Sequence, residues 1–435
     1  VNATVRNGGN TSGITSLVTD GTDIFGSGYW FGGTGNFEGT FSASWNGGTI
    51  NWLEDCHGDT YSVRPQGDAI YIVGHPHFCG NIGGFPQTGG DNSNLWTYHR
   101  ALGFSRAATG TVAPNTTGNY ASFGGQPAPS PLLWYPDFDQ GTFTGQNQGP
   151  WNVSGNADYV VIGGEFRNVN NSPQQGLVRF AVAARSTNKQ GPRLFGSSWV
   201  PTASSTFAGV VRLSFGANWD RDNATLTYRI ERDGRTVGST SAVSSFFSLP
   251  TLGYTDTTAT PGSTATYRVV AVDPFGNEAP SQTITVNVSN TGVRSAYGDT
   301  ILAATGLVDH WRLGEASGTF ADPIGSRPLT LSGSATRNVA GAIPNDPSTA
   351  VTFTGGRAST SNTVAAPQTF SIEAWVRTSS TQGGKIIGSD NNPGLFQTAT
   401  PDRHLYLSND GRVNFGVNTG SNQLVTSTAA INDNR

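Results

Sequence analysis

The sequence predicts an all-β protein, and three observations predict it. Helical periodicity is almost absent over 435 residues. Short apolar or alternating runs recur instead between Gly, Asn and Asp clusters, as at 69–73 (AIYIV), 159–162 (YVVI), 225–230 (TLTYRI) and 266–272 (TYRVVAV). Glycine occurs 58 times and proline 23 times, so turns are frequent, and the one candidate helix, 299–305 (DTILAAT), is short.

Composition narrows the class further. A chain of this length divides into about two to four domains. Charged residues make up only 12%, below the roughly 25% of an average soluble domain. A net charge of −4 and a pI near 5.9 exclude the basic surface that nucleic acid requires. No run reaches the roughly eighteen apolar residues of a membrane helix, so no membrane insertion is expected within this chain. Disordered chains lack aromatics, whereas this one has 10 Trp, 12 Tyr and 23 Phe. Lysine occurs only at Lys189 and Lys385, an arginine bias that fits a GC-rich genome. Methionine is absent, so Val1 is expected to begin a processed, cloned or truncated chain.

Along the chain, residues 1–183 read as a loose repeat. Strands are expected at 14–19, 23–29, 39–45 and 49–53, then at 60–64, 69–74, 100–105 and 110–112, then at 151–154, 159–166 and 176–182. Units of forty to sixty residues with about four strands are propeller blades, with a β-sandwich carrying long loops as the alternative. About three units are present where a propeller needs at least four, so the first blades are expected upstream of Val1. Residues 184–198 have no period and read as a linker. Sandwich spacing follows over 199–289, with strands expected at 210–215, 226–231, 236–239, 246–250, 264–273 and 282–288. Residues 290–298 are a second short linker, and 299–435 form a third region.

Three resemblances sharpen this division. VIGGEFRNVN (161–170) with GLVRFAV (176–182) resembles a bacterial extracellular propeller repeat with a GGxF signature. CHGDTYSV (56–63) with IYIVGHPHFCGNIGGF (70–85) resembles the last blades of such propellers in large secreted actinobacterial proteins. TPGSTATYRVVAVDPFGNEAPS (260–281) resembles the late strands of a fibronectin type III domain. That resemblance implies a buried corner tyrosine at Tyr267 whose hydroxyl bonds to backbone within 252–258. GLVDHWRLGEASGTFADPIGS (306–326), FSIEAWVRT (370–378) and HLYLSNDGRVNFGVNTG (404–420) are similar to a laminin-G-like, concanavalin-type jelly roll. The family continues beyond this point with further strands, so the jelly roll is expected to be incomplete and the chain cut inside domains at both ends.

Cys56 and Cys79 are the only cysteines and are 23 residues apart. An even count in a Gly/Asn/Thr-rich β chain predicts a disulfide and an extracellular or cell-surface location. Two free buried thiols are the alternative. His57, His75 and His77 beside Cys79 raise a zinc site, but the spacing fits no closed site and a cystine removes both thiolates. No Gly-x-Ser-x-Gly elbow accompanies His57-Gly58-Asp59. Candidate acids for glycoside hydrolysis are Glu54 with Asp55, Asp137 with Asp139, and Glu165. Glu315 and Glu373 lie in the third region without the E-x-D-x-x-E strand of related glucanases. Asp220, Asp222 and Asn223, Asp322, and 390–392 offer oxygens for calcium, with Asx turns as the alternative. No catalytic residue, binding residue or metal ligand is assigned, and no cofactor is expected, with calcium as the alternative. Trp45, Trp52, Trp96, Trp134 and Trp151, with Tyr29, Trp30 and Tyr135, are either core or stacking platforms for sugars.

The expected function is therefore a secreted or cell-surface modular protein that binds or scaffolds. Its expected partner is a polysaccharide or another extracellular polymer, with surface proteins as further partners. The alternatives are part of an extracellular carbohydrate-active enzyme and a structural spacer of a surface assembly.

Overall fold

Ladders form where the apolar alternation is most regular. The computed structural model describes residues 5–6, 10–116, 118–146, 148–186, 190–304, 306–325, 327–360, 362–363, 367–390, 401–418 and 420–435. It is all-β, with every named ladder antiparallel and α1 (Ala296–Leu302) the one α-helix among these residues. None of its helices is long and apolar enough to cross a membrane.

The first region holds three meanders. β1 (Ser12–Thr19), β2 (Asp23–Trp30), β3 (Gly39–Ser44) and β4 (Ile50–Glu54) pair in that order. β5 (Thr60–Gln66), β6 (Ala69–Gly74) and β7 (Ala101–Ser105) form the second. Residues 110–112 were expected to close that sheet as a fourth strand. Instead β8 (Gly110–Thr111) pairs with β9 (Pro127–Ala128) in a ladder of its own. The fourth position is filled by 130–132, where Leu132 N–H donates to Gly103 O at 2.8 Å. Pro131 bridges Phe104 as a non-hydrogen-bonded pair, between the Leu132-to-Gly103 and Ser105-to-Ser130 bonds, so its missing N–H costs this pairing nothing.

The third meander joins β10 (Pro150–Gly155), β11 (Tyr159–Gly164) and, after the short hairpin β12 (Asn168–Val169) and β13 (Ser172–Pro173), β14 (Leu177–Ala181). The first strands β1, β5 and β10 lie side by side. Thr15 Oγ1 donates to Thr60 O (2.6 Å) and Arg64 Nη2 to Gly155 O (2.9 Å). Phe25, Leu53, Ile70, Ile72, Leu102 and Phe104 bury between the first two sheets, and Val73, Val160, Ile162 and Phe166 between the second and third.

The middle region is two sheets around one core. β15 (Thr202–Phe207), β16 (Val210–Gly216) and, from the far side, β19 (Thr251–Asp256) make one. The other runs β18 (Arg235–Val243), β17 (Thr225–Arg232), β20 (Thr264–Val272) and β21 (Glu278–Pro280), with β22 (Ile284–Asn287) also on β20. Leu226, Tyr228 and Ile230 alternate inward on β17 and meet Val211, Leu213 and Phe215 of β16 over Trp199. The stretch 190–198 is anchored on this unit rather than free, because Asn218 Oδ1 accepts from Arg193 and Leu194 N–H. Residues 187–189 of the expected linker lie outside the described residues.

Two expectations are corrected here. Residues 246–250 read as a strand, but Phe246 and Phe247 stand in a turn between Ser245 and Ser248. Their rings leave the sandwich and pack on Phe85 and Tyr135 of the first region, which apolarity alone could not distinguish from a strand. Tyr267 is fully buried, yet its hydroxyl donates to the Asp256 carboxylate (Oδ2, 2.8 Å) and not to backbone. Arg232 pairs with the same carboxylate, which is why a charged acceptor is tolerated there. Replacing Tyr267 by Phe is expected to cost about 1.5–3 kcal/mol, the range for a hydrogen bond to a charged group. Urea unfolding of the variant checks it, and a loss below about 0.5 kcal/mol would show that Arg232 alone satisfies Asp256.

In the third region α1 starts at Ala296 and ends before the expected 305, which is outside the described residues. Ser295 caps it by accepting from Gly298 N–H at 3.0 Å. Its Leu302 packs on Phe207 and Val210 of the sandwich. Two small ladders follow, β23 (Thr330–Ser332) with β26 (Arg357–Ser359) and β24 (Ala335–Ala340) with β25 (Thr349–Phe353). A meander of β27 (Gly384–Asp390), β28 (Pro401–Leu407), β29 (Arg412–Asn418) and β30 (Asn422–Ala430) ends the fold. The motif at 370–378 lies in no ladder.

Candidate functional site

In an antiparallel meander, the start of the first strand, the end of the second and the start of the third share one end of the sheet. That end of the first region gathers its polar chemistry. Trp30 closes β2, Glu38 precedes β3, 57–59 precede β5, His75 and His77 follow β6, Tyr98 and Arg100 precede β7, and Gln148 precedes β10.

The disulfide pins this end. Cys56 and Cys79 are bonded, with Cα atoms 4.3 Å apart, and both are fully buried. His57 N–H donates to Phe78 O (2.8 Å) and His77 N–H to His57 O (2.9 Å), so the bridge closes a two-rung ladder that fixes both imidazoles. Gly58 has φ +118° and a Cβ there would sit 2.5 Å from His75 O, so only glycine fits. Its N–H donates to Glu38 Oε1 at 2.7 Å.

A continuous run of rings lies over these groups. Tyr120 stacks on His57 (3.7 Å between centroids) and touches Trp30 (5.8 Å), while Trp96 stacks on His77 (4.0 Å). Tyr98 bridges His77 to His75, and Tyr61 bridges His75 to Trp151. His75 Nδ1 is 2.8 Å from both the Tyr61 hydroxyl and Gln148 Oε1. His57 and His77 are buried, whereas Trp30, Tyr61, Trp96, Tyr98, Tyr120 and Trp151 are half-exposed. Buried polar atoms here without a hydrogen-bond partner among the described residues include Trp30 Nε1, His57 Nε2, Asp59 Oδ1, His77 Nδ1 and Arg100 Nε. Such orphans are expensive in a closed core and ordinary in a site that awaits a ligand.

Burial sets the protonation. It pushes Glu38 up to about 8, with the Asp59 charge adding, so Glu38 is protonated at neutral pH. It raises Asp59 to about 6 and lowers His57 to about 3, and His75 and His77 to about 4. The imidazoles are therefore neutral, each with one donor and one acceptor nitrogen.

The sequence-derived candidates separate on this geometry. Glu54 and Asp55 face no cleft. Glu54 is fully buried and accepts from Cys56 N–H, and Asp55 is held by Asn81 Nδ2 at 2.6 Å. Asp137 pairs with Arg221 of the sandwich, Asp139 caps the N–H groups of Arg167 and Asn168, and Glu165 binds the Thr144 N–H and hydroxyl. Glu54, Cys56 and Cys79 converge, but the sulfurs are oxidised and offer no thiolate. No other set of three His, Cys, Asp or Glu ligand atoms closes to within 4.8 Å among the described residues. Asp322 accepts from four backbone N–H groups, of His310, Ile324 and Gly325 on Oδ1 and of Arg327 on Oδ2, as a turn-forming Asx residue does. Of 390–392, only Asp390 lies within the described residues. Trp52 and Tyr135 are core, and Trp45 is exposed away from the run of rings.

Sequence reasoning singled out the histidines, Trp30, Trp96 and Trp151, and missed Glu38, Tyr61, Tyr98, Tyr120 and Gln148. The available signal was alternation around the motif, since Asp59 and Tyr61 flank Thr60 and Tyr98 precedes Arg100. Tyr120 and Gln148 sit in loops whose return to this end follows no period. No family model matches the chain, and no curated protein matches it.

Proposed function

We propose that this chain is a secreted or cell-surface modular protein that binds an extracellular polysaccharide through the ring-lined end of its first region. The observation that carries the reading is the set of orphaned buried atoms, on Trp30, His57, Asp59, His77 and Arg100, beneath half-exposed aromatic rings. A neutral polyhydroxyl ligand supplies both donors and acceptors, and its C–H faces stack on Trp and Tyr. Neutral imidazoles and a protonated Glu38 suit an uncharged sugar better than an anion. On this reading the first region is a set of propeller blades. The middle region is a fibronectin type III-like spacer, supported by its two-sheet strand order and buried Tyr267. The last is a laminin-G-like module. The disulfide supports an oxidising compartment.

The test is a panel of immobilised polysaccharides, scored for retention and for reducing-end release. Retention that falls about tenfold in Trp96→Ala, equivalent to about 1.4 kcal/mol, with an unchanged melting temperature, is the expected result. Retention on no polysaccharide would overturn the reading in favour of a structural spacer. Sugar release abolished by Asp59→Asn would instead favour the enzymatic alternative, which the protonated Glu38 near Asp59 makes chemically reasonable.

A further inference from the structure

The turn between β18 and β19 belongs to the sandwich but buries its rings in the first region. Ser245 N–H donates to Ser248 O and Ser248 N–H to Ser245 O, both at 3.1 Å, and Ser244 Oγ donates to Asn218 O at 2.6 Å. The turn is thus clamped on the sandwich, and its Phe246 and Phe247 pack against the first region's core. The Phe246 ring lies 4.8 Å from that of His99, 4.8 Å from Tyr135 and 5.9 Å from Phe85. Trp219 backs it from the sandwich side at 5.9 Å.

His99 is the link to the candidate site. Residues 98–100 continue the pairing of β6 with β7, as His99 N–H donates to Pro76 O (2.8 Å) and Gly74 N–H to Arg100 O (3.2 Å). Side chains alternate along a paired segment. Tyr98 and Arg100 share one face, where Tyr98 meets His75 and His77, and the Arg100 guanidinium sits over the Tyr98 ring. His99 takes the other face and packs on Phe85 (4.1 Å) and on Phe246. Phe85 O accepts from Cys79 N–H (2.9 Å), which ties this packing to the disulfide. Burial, with the Arg100 charge adding, lowers His99 to about 4, so its imidazole is neutral. Closely packed rings leave little room to shift. Whatever fixes the depth of His99 therefore fixes where Tyr98 and Arg100 stand over the histidines.

We propose that Phe246 is a positioning residue for the ring-lined end, which makes the middle region a working part of the binding unit as well as a spacer. The ligand rests on the saccharide reading above, and the positioning rests on the packing alone. Arg221 with Asp137 is a second contact between the two regions, and it involves no residue of the run of rings. It therefore separates positioning through Phe246 from a general loosening of the junction.

Histidine imidazole NMR of the intact chain tests this, together with retention on the polysaccharide that holds the parent. In Phe246→Ala, His99 should titrate nearer its ordinary 6.5, because water reaches the imidazole once the ring is gone. The His75 and His77 resonances, from the opposite face of the segment, should shift as well. Retention should fall about fivefold or more at a temperature where the variant is folded. Phe246→Leu keeps apolar bulk without the ring. It should show the same changes at smaller size, and it takes the place of Phe246→Ala if that variant does not fold. Unmoved His75 and His77 resonances would overturn the proposal whatever the melting temperature, and leave Phe246 a clip between the regions. An equal response in Arg221→Ala would overturn it too. A parent held by no polysaccharide would overturn the saccharide reading alone, since the His75 and His77 resonances still decide whether Phe246 sets this end.

Discussion

Replacing Cys56 and Cys79 together by alanine is expected to destabilise the protein by about 3 kcal/mol, the loop-closure value for a separation of 23 residues. The loss should exceed an ordinary surface effect for a second reason. Both half-cystines are fully buried and sit beside the buried Glu54, whose carboxyl burial pushes well up. Without the bridge, the ladder that joins His57 to Phe78 depends on two hydrogen bonds alone. Saccharide retention should therefore fall under conditions where the rest of the fold survives. Urea midpoints of the double variant, with retention measured alongside, check both parts. A shift below about 0.5 kcal/mol would mean that the surrounding core already holds this end closed.

Stability is expected to fall from mildly acidic to alkaline pH, and Glu38→Gln should remove a large share of that fall. Glu38 ionises near 4.5 when unfolded and near 8 when folded. Its raised value favours the folded state fully below the unfolded value, and this advantage is lost as pH rises through about 8. The size is on the order of 4 kcal/mol for this buried group. His57, His75 and His77 act in the opposite sense. Their lowered values mean that folding is favoured above about 6.5 and weakened as pH falls toward 3–4. The two limbs place maximum stability at mildly acidic pH. Denaturant midpoints of the parent and of Glu38→Gln at about pH 5.5 and about pH 8.5 provide the test. Glutamine keeps the acceptor for Gly58 N–H, so only the alkaline limb should flatten. Asp55, also raised to about 8, keeps its own share of it. A change between the two pH values that is as large in Glu38→Gln as in the parent would show that Glu38 is solvated.

Most of the strands were legible because they have a period. Tyr228 and Ile230 point inward on β17 since alternation is local, and Cys56 with Cys79 needed only a count. What alternation could not show is where an apolar side chain finds its partner. Phe246 and Phe247 read as strand, but their burial is settled by Phe85 and Tyr135, more than a hundred residues earlier. Residues 110–112 looked like the fourth strand of their sheet, yet 130–132 pair with β7 and 110–111 with 127–128, a choice set by tertiary context that strand propensity does not carry. The same division holds at the candidate site. His57, Asp59, His75 and His77 were visible as a motif. Their meaning came from Glu38, Tyr120 and Gln148, which arrive from other elements and set burial and hence protonation. Ionisation follows the dielectric around a group and the charges that face it, and both are properties of packing that no run of residues carries by itself.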